Sequence, residues 1–198
     1  MRDGEDTDEA LAARAGRGDR LAAGVLVVRH TDRIFAVSYR MLGNRAAAED
    51  VTQETFLRLW KNAARWRPGG ARIETWLYKV AMNLCIDTLR KRRREAPQEA
   101  APERADPGLR ADERLAVGER RNAVEAAITS LPDRQRMAIT LCYFEECSNI
   151  EAAESLGVSI DAVESLLARA RRALKMKLTA RRAELMEGTG HDASSLAL

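Results

Sequence analysis

Trp76, Lys79, Asn83 and Arg90 recur at helical spacing. A helix through them places an indole, an ammonium, an amide and a guanidinium on one side, with Asp87 beside them. Cations on such a face neutralise phosphates, the indole can stack on a base, and the amide can bond a base edge. That combination suits an extended or opened nucleic acid strand. The run Arg90-Lys91-Arg92-Arg93-Arg94 continues the charge. The same pattern also fits a solvated face on a helix whose basic end suits its macrodipole. The neighbouring segments decide between the two.

The helix that must position these groups spans about Ala71 to Arg94, with Ile73, Leu77, Val80, Ala81 and Leu84 as its apolar stripe. Arg67-Pro68-Gly69-Gly70 leads into it as a loop, because proline and paired glycine cannot continue a helix. Three helices precede that loop. Residues 8–16 form a short one, ended by Gly16 and the Gly18-Asp19 turn. Leu21 to Met41 carries Val25, Leu26, Val28, Ile34, Phe35 and Val37, and Gly43-Asn44 breaks it. About Ala46 to Ala64 follows, with Val51, Phe56, Leu57 and Trp60 on its buried side. Asp50, Gln53 and Glu54 lie opposite that stripe near its start. These four helices close a domain over 8–94.

Between residues 95 and 112 the composition shifts. Pro97, Pro102 and Pro107 are spaced through Ala, Glu, Asp and Arg with almost no large apolar side chain. Such a segment reads as a flexible linker, and the halves it joins as separately folded modules. Periodicity returns near Glu113 and defines a second domain, 113–182. Leu131-Pro132 divides two of its helices. Residues 148–175 then have the form of a helix-turn-helix. Ala152 and Ala153 allow close packing, Gly157 permits the turn, and Ser159 caps a helix from Ile160 to about Arg182. Ile160, Val163, Leu167, Ala170 and Leu174 form its buried stripe. Asp161, Ser165, Arg169 and Arg172 share the outer face with Ala168 and Met176, and Glu164 borders it. A helix of this kind lies in a major groove with its first half at the bases and its arginines at phosphates. Residues 183–198 read as a disordered tail. No strand pattern is visible, so the expected fold is all-α, in two small helical domains.

Composition excludes other classes. Of 198 residues 32% are charged and only 5% aromatic, and the formal charge of +3 hides an acidic start, a basic middle, an acidic linker and a basic end. Cys85, Cys142 and Cys147 form no CxxC pair, and His30 and His191 lie far from them, which argues against structural zinc and a disulfide framework. Reduced cysteines are the expectation, with a redox role for Cys142 and Cys147 a minor alternative. No apolar run approaches the length of a membrane span, and the acidic start does not suit a signal peptide. A cytoplasmic protein without membrane insertion is expected. No paired acid, activated nucleophile or phosphate loop suggests catalysis, and no cofactor or metal is implied.

Three blocks in order carry a family resemblance. AEDVTQETFLRLW (Ala48–Trp60), ETWLYKVAMNLCIDTLRKRRR (Glu74–Arg94), and LPDRQR (Leu131–Arg136) followed by LGVSIDAVESLLARARRAL (Leu156–Leu174) resemble the sigma-70 family of bacterial RNA polymerase sigma factors. The compact chain resembles the extracytoplasmic-function (ECF) group, which keeps only regions two and four. The resemblance implies that Asp50, Gln53 and Glu54 bind core RNA polymerase. It implies that Arg67, Arg72, Trp76, Lys79, Asn83 and Arg90 serve promoter DNA at the −10 element, where the loop before the opening helix captures a flipped base. Glu164, Ser165, Ala168, Arg169 and Arg172 would read the −35 element. An anti-sigma factor is a further implied partner. Glu164 departs from the pattern, standing where many relatives carry a basic residue, and Ala152 where isoleucine is common. Two other readings share parts of the pattern: a sigma-like decoy and a free-standing helix-turn-helix regulator. The first usually adds a receiver domain, and the second leaves AEDVTQETFLRLW unexplained.

Overall fold

The computed structural model describes residues 7–63, 66, 72–95 and 123–188, with side chains to residue 180. Every regular element among them is helical: α1 (Asp8–Ala15), α2 (Arg20–Leu42), α3 (Arg45–Ala63), α4 (Ile73–Glu95), α5 (123–129), α6 (Asp133–Ile139), α7 (Asn149–Leu156) and α8 (Ile160–Gly188). A π turn, Thr140–Phe144, extends α6. None of the described helices is long and apolar enough to cross a membrane. The expected linker, 95–112, lies outside the described residues after Glu95. So does the start of the second domain before residue 123. The last helix continues to Gly188, past its expected end at Arg182, so the expected disordered tail begins with helix.

Local chemistry sets the boundaries. Thr7 caps α1 by accepting from the Ala10 amide, and Asp19 caps α2 by accepting from Leu21 and Ala22. Gly43 closes α2 in the left-handed conformation (φ 62°), where a Cβ would be strained. In the first half, Leu26, Ile34, Val37 and Met41 of α2 meet Val51, Phe56 and Leu59 of α3 and Ile73, Leu77, Ala81 and Cys85 of α4. The buried hydroxyls of Thr52 and Thr55 donate back to the carbonyls of Ala48 and Val51, so they enter this core without unpaired donors.

Several expected core positions fall elsewhere. Leu57 is 50% exposed, because it lies seven residues after Asp50 and shares its face, while Leu59 fills the core. Val25 and Val28 project from α2 opposite its buried stripe, together with Leu21. Ile160 and Phe144 are also partly exposed, the latter beneath the Arg40 guanidinium, 4.3 Å from its ring centroid.

The largest difference concerns the two halves. Expected to stand apart, they pack together: α7 lies on α4, and α6 with its π turn lies on α2. Leu131, Met137, Leu141, Ala152, Val163 and Leu167 belong to the same buried cluster as the first half. Composition could not show this, because apolar spacing says only that these residues are buried, and the polar side chains that join them across the halves look solvated in sequence.

At the other end of the first half, Asp8 pins α1 to α2 through Arg29 Nη1 (2.8 Å) and His30 Nε2 (2.6 Å). Partial burial pulls the Asp8 carboxyl upward, but the bonds from Arg29 and His30 outweigh it and hold it below the ordinary 3.8. A depressed folded-state value means stability that is present above the unfolded value and lost as pH falls through the folded one. Asp8→Asn should therefore lower stability at neutral pH by about 1 kcal/mol, with the gap to the parent closing below about pH 4 in paired denaturation curves.

Candidate nucleic-acid and polymerase interfaces

The outer face of α4 is assembled as its spacing suggests. Lys79, Asn83, Asp87 and Arg90 are all exposed along it. Glu74 in the first turn and Arg92, Arg93 and Arg94 in the last complement the helix dipole. Arg90, Arg93 and Arg94 line an open cleft with Asp87. Arg90 stays 3.8 Å from Asp87 in a solvated pair of little strength, so its charge is available to a phosphate.

Trp76 is less free than its spacing implied. It is half-buried, and its ring meets Trp66 edge to face at 6.0 Å and 89°. Arg72 is drawn away from α4's outer face: Nη1 donates to Glu151 of α7 at 2.7 Å, and Nη2 approaches Glu74 at 3.5 Å. Arg67 lies outside the described residues.

The acidic group on α3 forms a separate surface. Asp50 and Gln53 are exposed and Glu54 partly so, with Glu54 holding Arg58 Nε at 2.9 Å. Leu57 completes this face, an apolar side chain inside a polar ring. Sequence periodicity misplaced it; counting seven residues on from Asp50 would have found it.

The helix-turn-helix is built as its motif predicts. Ser148 accepts from the Glu151 amide while Glu151 accepts from the Ser148 amide, a reciprocal cap that starts α7. The Ser148 amide and then its hydroxyl hold Glu151 below the usual carboxylate range, with Arg72 adding to the effect. Gly157 turns the chain at φ 63°, and Ser159 accepts from the Ala162 amide at 3.2 Å to start α8. Val163, Leu167 and Ala170 are buried. Glu164, Ser165, Arg169 and Arg172 are exposed and Ala168 half-exposed, so the structure brings these five onto one face. Asn149 Nδ2 donates to Glu164 Oε1 at 3.4 Å, and Arg172 Nε lies along its own helix against the Ala168 carbonyl at 3.3 Å.

The three cysteines are free, Cys85 buried and Cys142 and Cys147 half-buried. Burial pushes Cys85 and Cys147 up to about 12, and Cys142 also upward, away from the thiolate. Among the described residues no group of His, Cys, Asp and Glu could hold a metal ion. Two residues that sequence reading passed over, Tyr78 and Glu145, are central to the joint between the halves. A tyrosine inside an apolar run and a glutamate in Phe144-Glu145-Glu146-Cys147 carry no spacing signal for this.

Comparison with known proteins places both halves. The family described as Sigma-70 region 2 matches residues 26–95, and the family described as Sigma-70, region 4 matches residues 121–174. ECF RNA polymerase sigma factor SigE of Mycolicibacterium smegmatis is 38% identical over 154 residues, 76% of this chain and 59% of its own length. ECF RNA polymerase sigma factor SigW of Bacillus subtilis is 32% identical over 172 residues, 82% of this chain and 91% of its own. Among solved structures, CnrH in complex with the cytosolic domain of CnrY is similar at a TM-score of 0.65 and 29% identity, covering 87% of this chain and 97% of that one. Two matched regions in family order, and a relative aligned along nearly its whole length, establish that the chain belongs to the ECF group of the sigma-70 family.

Proposed function

We propose that this chain is a non-catalytic initiation factor that binds core RNA polymerase, directs it to promoters and assists their opening. Three exposed faces on one chain carry the reading: an acidic face with a central leucine on α3, a basic face with an amide on α4, and an arginine face on the second helix of a helix-turn-helix. In this reading residues 8–94 bind core through Asp50, Gln53 and Glu54, with Leu57 at the centre of the contact. The same domain engages the −10 element through Arg67, Arg72, Trp76, Lys79, Asn83 and Arg90. The domain over 113–182 reads the −35 element through Glu164, Ser165, Ala168, Arg169 and Arg172, and 95–112 sets the span between them.

Energy for strand opening comes from binding. Bases released from the stack are held by stacking and edge contacts, while cations track the backbone. Trp76 is half-buried and meets Trp66 edge to face, so in this reading a base stacks on the part of its ring left exposed. An anti-sigma factor is a further partner in this reading, in line with the second protein bound to CnrH.

The direct test adds the purified chain to core polymerase lacking sigma. Transcripts from defined promoter starts are expected, and their absence across a genomic promoter library would remove the reading.

Replacing Asp50, Gln53 and Glu54 together by alanine should leave helical content intact, since exposed changes seldom exceed about 0.5 kcal/mol each. Loss of the Glu54–Arg58 pair adds at most a similar amount. Affinity for core should drop severely in a direct binding titration. Normal core affinity would show that α3 is not the contact.

On α8, Arg172→Ala should weaken all −35 sequences alike and reduce the salt slope by about one phosphate contact. Glu164→Arg should instead change which bases are preferred, by about 1–3 kcal/mol at the affected position. Selection from a randomised −35 library at two salt concentrations separates the two effects.

A further inference from the structure

Glu164 stands on the outer face of α8 without a cation from its own helix. The residues three and four places away, at the spacings that bring helical side chains together, are Ile160, Asp161, Leu167 and Ala168. Its donor comes from α7. Asn149 Nδ2 donates to Glu164 Oε1 at 3.4 Å, and Asn149 Oδ1 accepts from the Cys142 thiol at 3.9 Å. Burial pushes that thiol upward, which keeps it protonated and a donor. The two neighbours demand the same orientation of the amide. Turned over, it would set its oxygen against the carboxylate and its nitrogen against an S–H. Asn149 is itself held in place: it opens α7, and the reciprocal cap between Ser148 and Glu151 fixes the backbone on either side of it. Cys142 lies in the π turn that extends α6. One polar chain thus runs from that turn, through the start of α7, to a side chain in the second turn of α8.

We propose that Asn149 is a positioning residue for −35 recognition, holding Glu164 Oε1 toward α7 so that Oε2 accepts from the N4 amino group of one cytosine. The proposal rests on the sigma-factor reading for its DNA, and adds to it a base type and the residue behind the reader. A carboxylate on a DNA-facing helix is repelled by phosphates, by N7 and O6 of guanine and by O4 of thymine. Cytosine offers an amino donor on its own, whereas the N6 donor of adenine sits beside the N7 acceptor. Glu164 therefore selects against three bases as well as for one. Selection of that kind needs a fixed acceptor, because a carboxylate free to turn to water discriminates poorly. Engaging Oε1 at α7 removes side-chain freedom from Glu164 before DNA arrives, so less is lost on contact. The Asn149 amide also stays with the carboxylate when the groove strips water from it, which offsets part of the desolvation cost. Asn149 touches neither base nor phosphate in this arrangement and acts through Glu164 alone.

The test is selection from promoters with a randomised −35 element by the full chain bound to core polymerase. The parent should favour cytosine at one position, and Glu164→Ala should lose that preference alone. Asn149→Ala keeps the Ser148–Glu151 cap and should reduce the same preference about fivefold. Its affinity for elements lacking that cytosine, and its salt slope, should match the parent. Asn149→Asp, the same shape with an oxygen turned to the carboxylate, should reduce the preference at least as much. In the Glu164→Ala background, Asn149→Ala should change nothing further at any position. A residue touching DNA directly would still alter preference or salt slope in that background, and one that only stabilises α7 would weaken every sequence alike. Either result overturns the proposal. So does a Glu164→Ala variant with the parent's preferences, although −35 reading by the other residues of α8 would then stand. A parent indifferent to the −35 sequence fails the sigma-factor reading of α8 itself, and the proposal falls with it.

Discussion

The arrangement depends on how one helix end is satisfied. The last carbonyls of α2 have no partners within their own helix. Gly43 returns an amide to the Tyr39 carbonyl, but Met41 and Leu42 receive theirs from guanidiniums distant in sequence. Arg136 of α6 reaches Met41, and Arg92 of α4 reaches Leu42 at 3.4 Å. Arg136 is only 5% exposed. Burial draws its proton affinity down, while Asp133 at 3.7 Å counters that, and Leu131 accepts a further bond at 3.2 Å. A cation placed at the negative end of a helix dipole, among carbonyls, is among the few settings in which a buried guanidinium is tolerated. The Arg136 side chain thus ties α6 and the Leu131 carbonyl before it to the end of α2. Everything further along the second half is carried against the first from that point.

This explains why the joint was invisible in sequence while the domains were legible. Helix boundaries follow from local chemistry: the turn at Gly157 and the cap at Ser159 were readable from their neighbours, and Asp19 and Ser148 cap α2 and α7 by the same local rule. Apolar periodicity likewise placed Leu26, Ile34, Leu77, Val163 and Leu167 inside. The polar face of α4 and the five residues of α8 could be named because helical spacing alone puts them together. Arg136, Tyr78 and Glu145 obey no such period. Their positions are set by partners 95, 67 and 105 residues away along the chain. A charged residue reads as solvated until its partner is known, and no window of sequence contains both.

The errors at Leu57 and Trp76 have a different cause. Leu57 was placed inside on hydrophobicity, against its own spacing from Asp50. On α3 the interior is filled by Leu59 with Thr52 and Thr55, whose hydroxyls are satisfied within the helix. Two threonines in the core free a leucine for the surface. Trp76 was placed outside by spacing, which is correct for its direction, but a large ring at the edge of a stripe meets any neighbour within reach. Trp66 supplies that neighbour from beside the loop, so the helix and the chain leading into it are coupled through two indoles.

Arg72 and Arg93 border the α4 face, whose purpose in the proposed function is to meet phosphate, yet each holds a carboxylate from the other half. Exposed ion pairs of this kind contribute little to stability, commonly below about 1 kcal/mol each, so they cannot by themselves keep the halves together. Their effect is on the surface charge, because a guanidinium engaged by Glu151 or Asp133 is a weaker partner for a backbone phosphate. The buried contacts of Glu145 and Arg136 join the two halves, and the rim pairs engage Arg72 and Arg93.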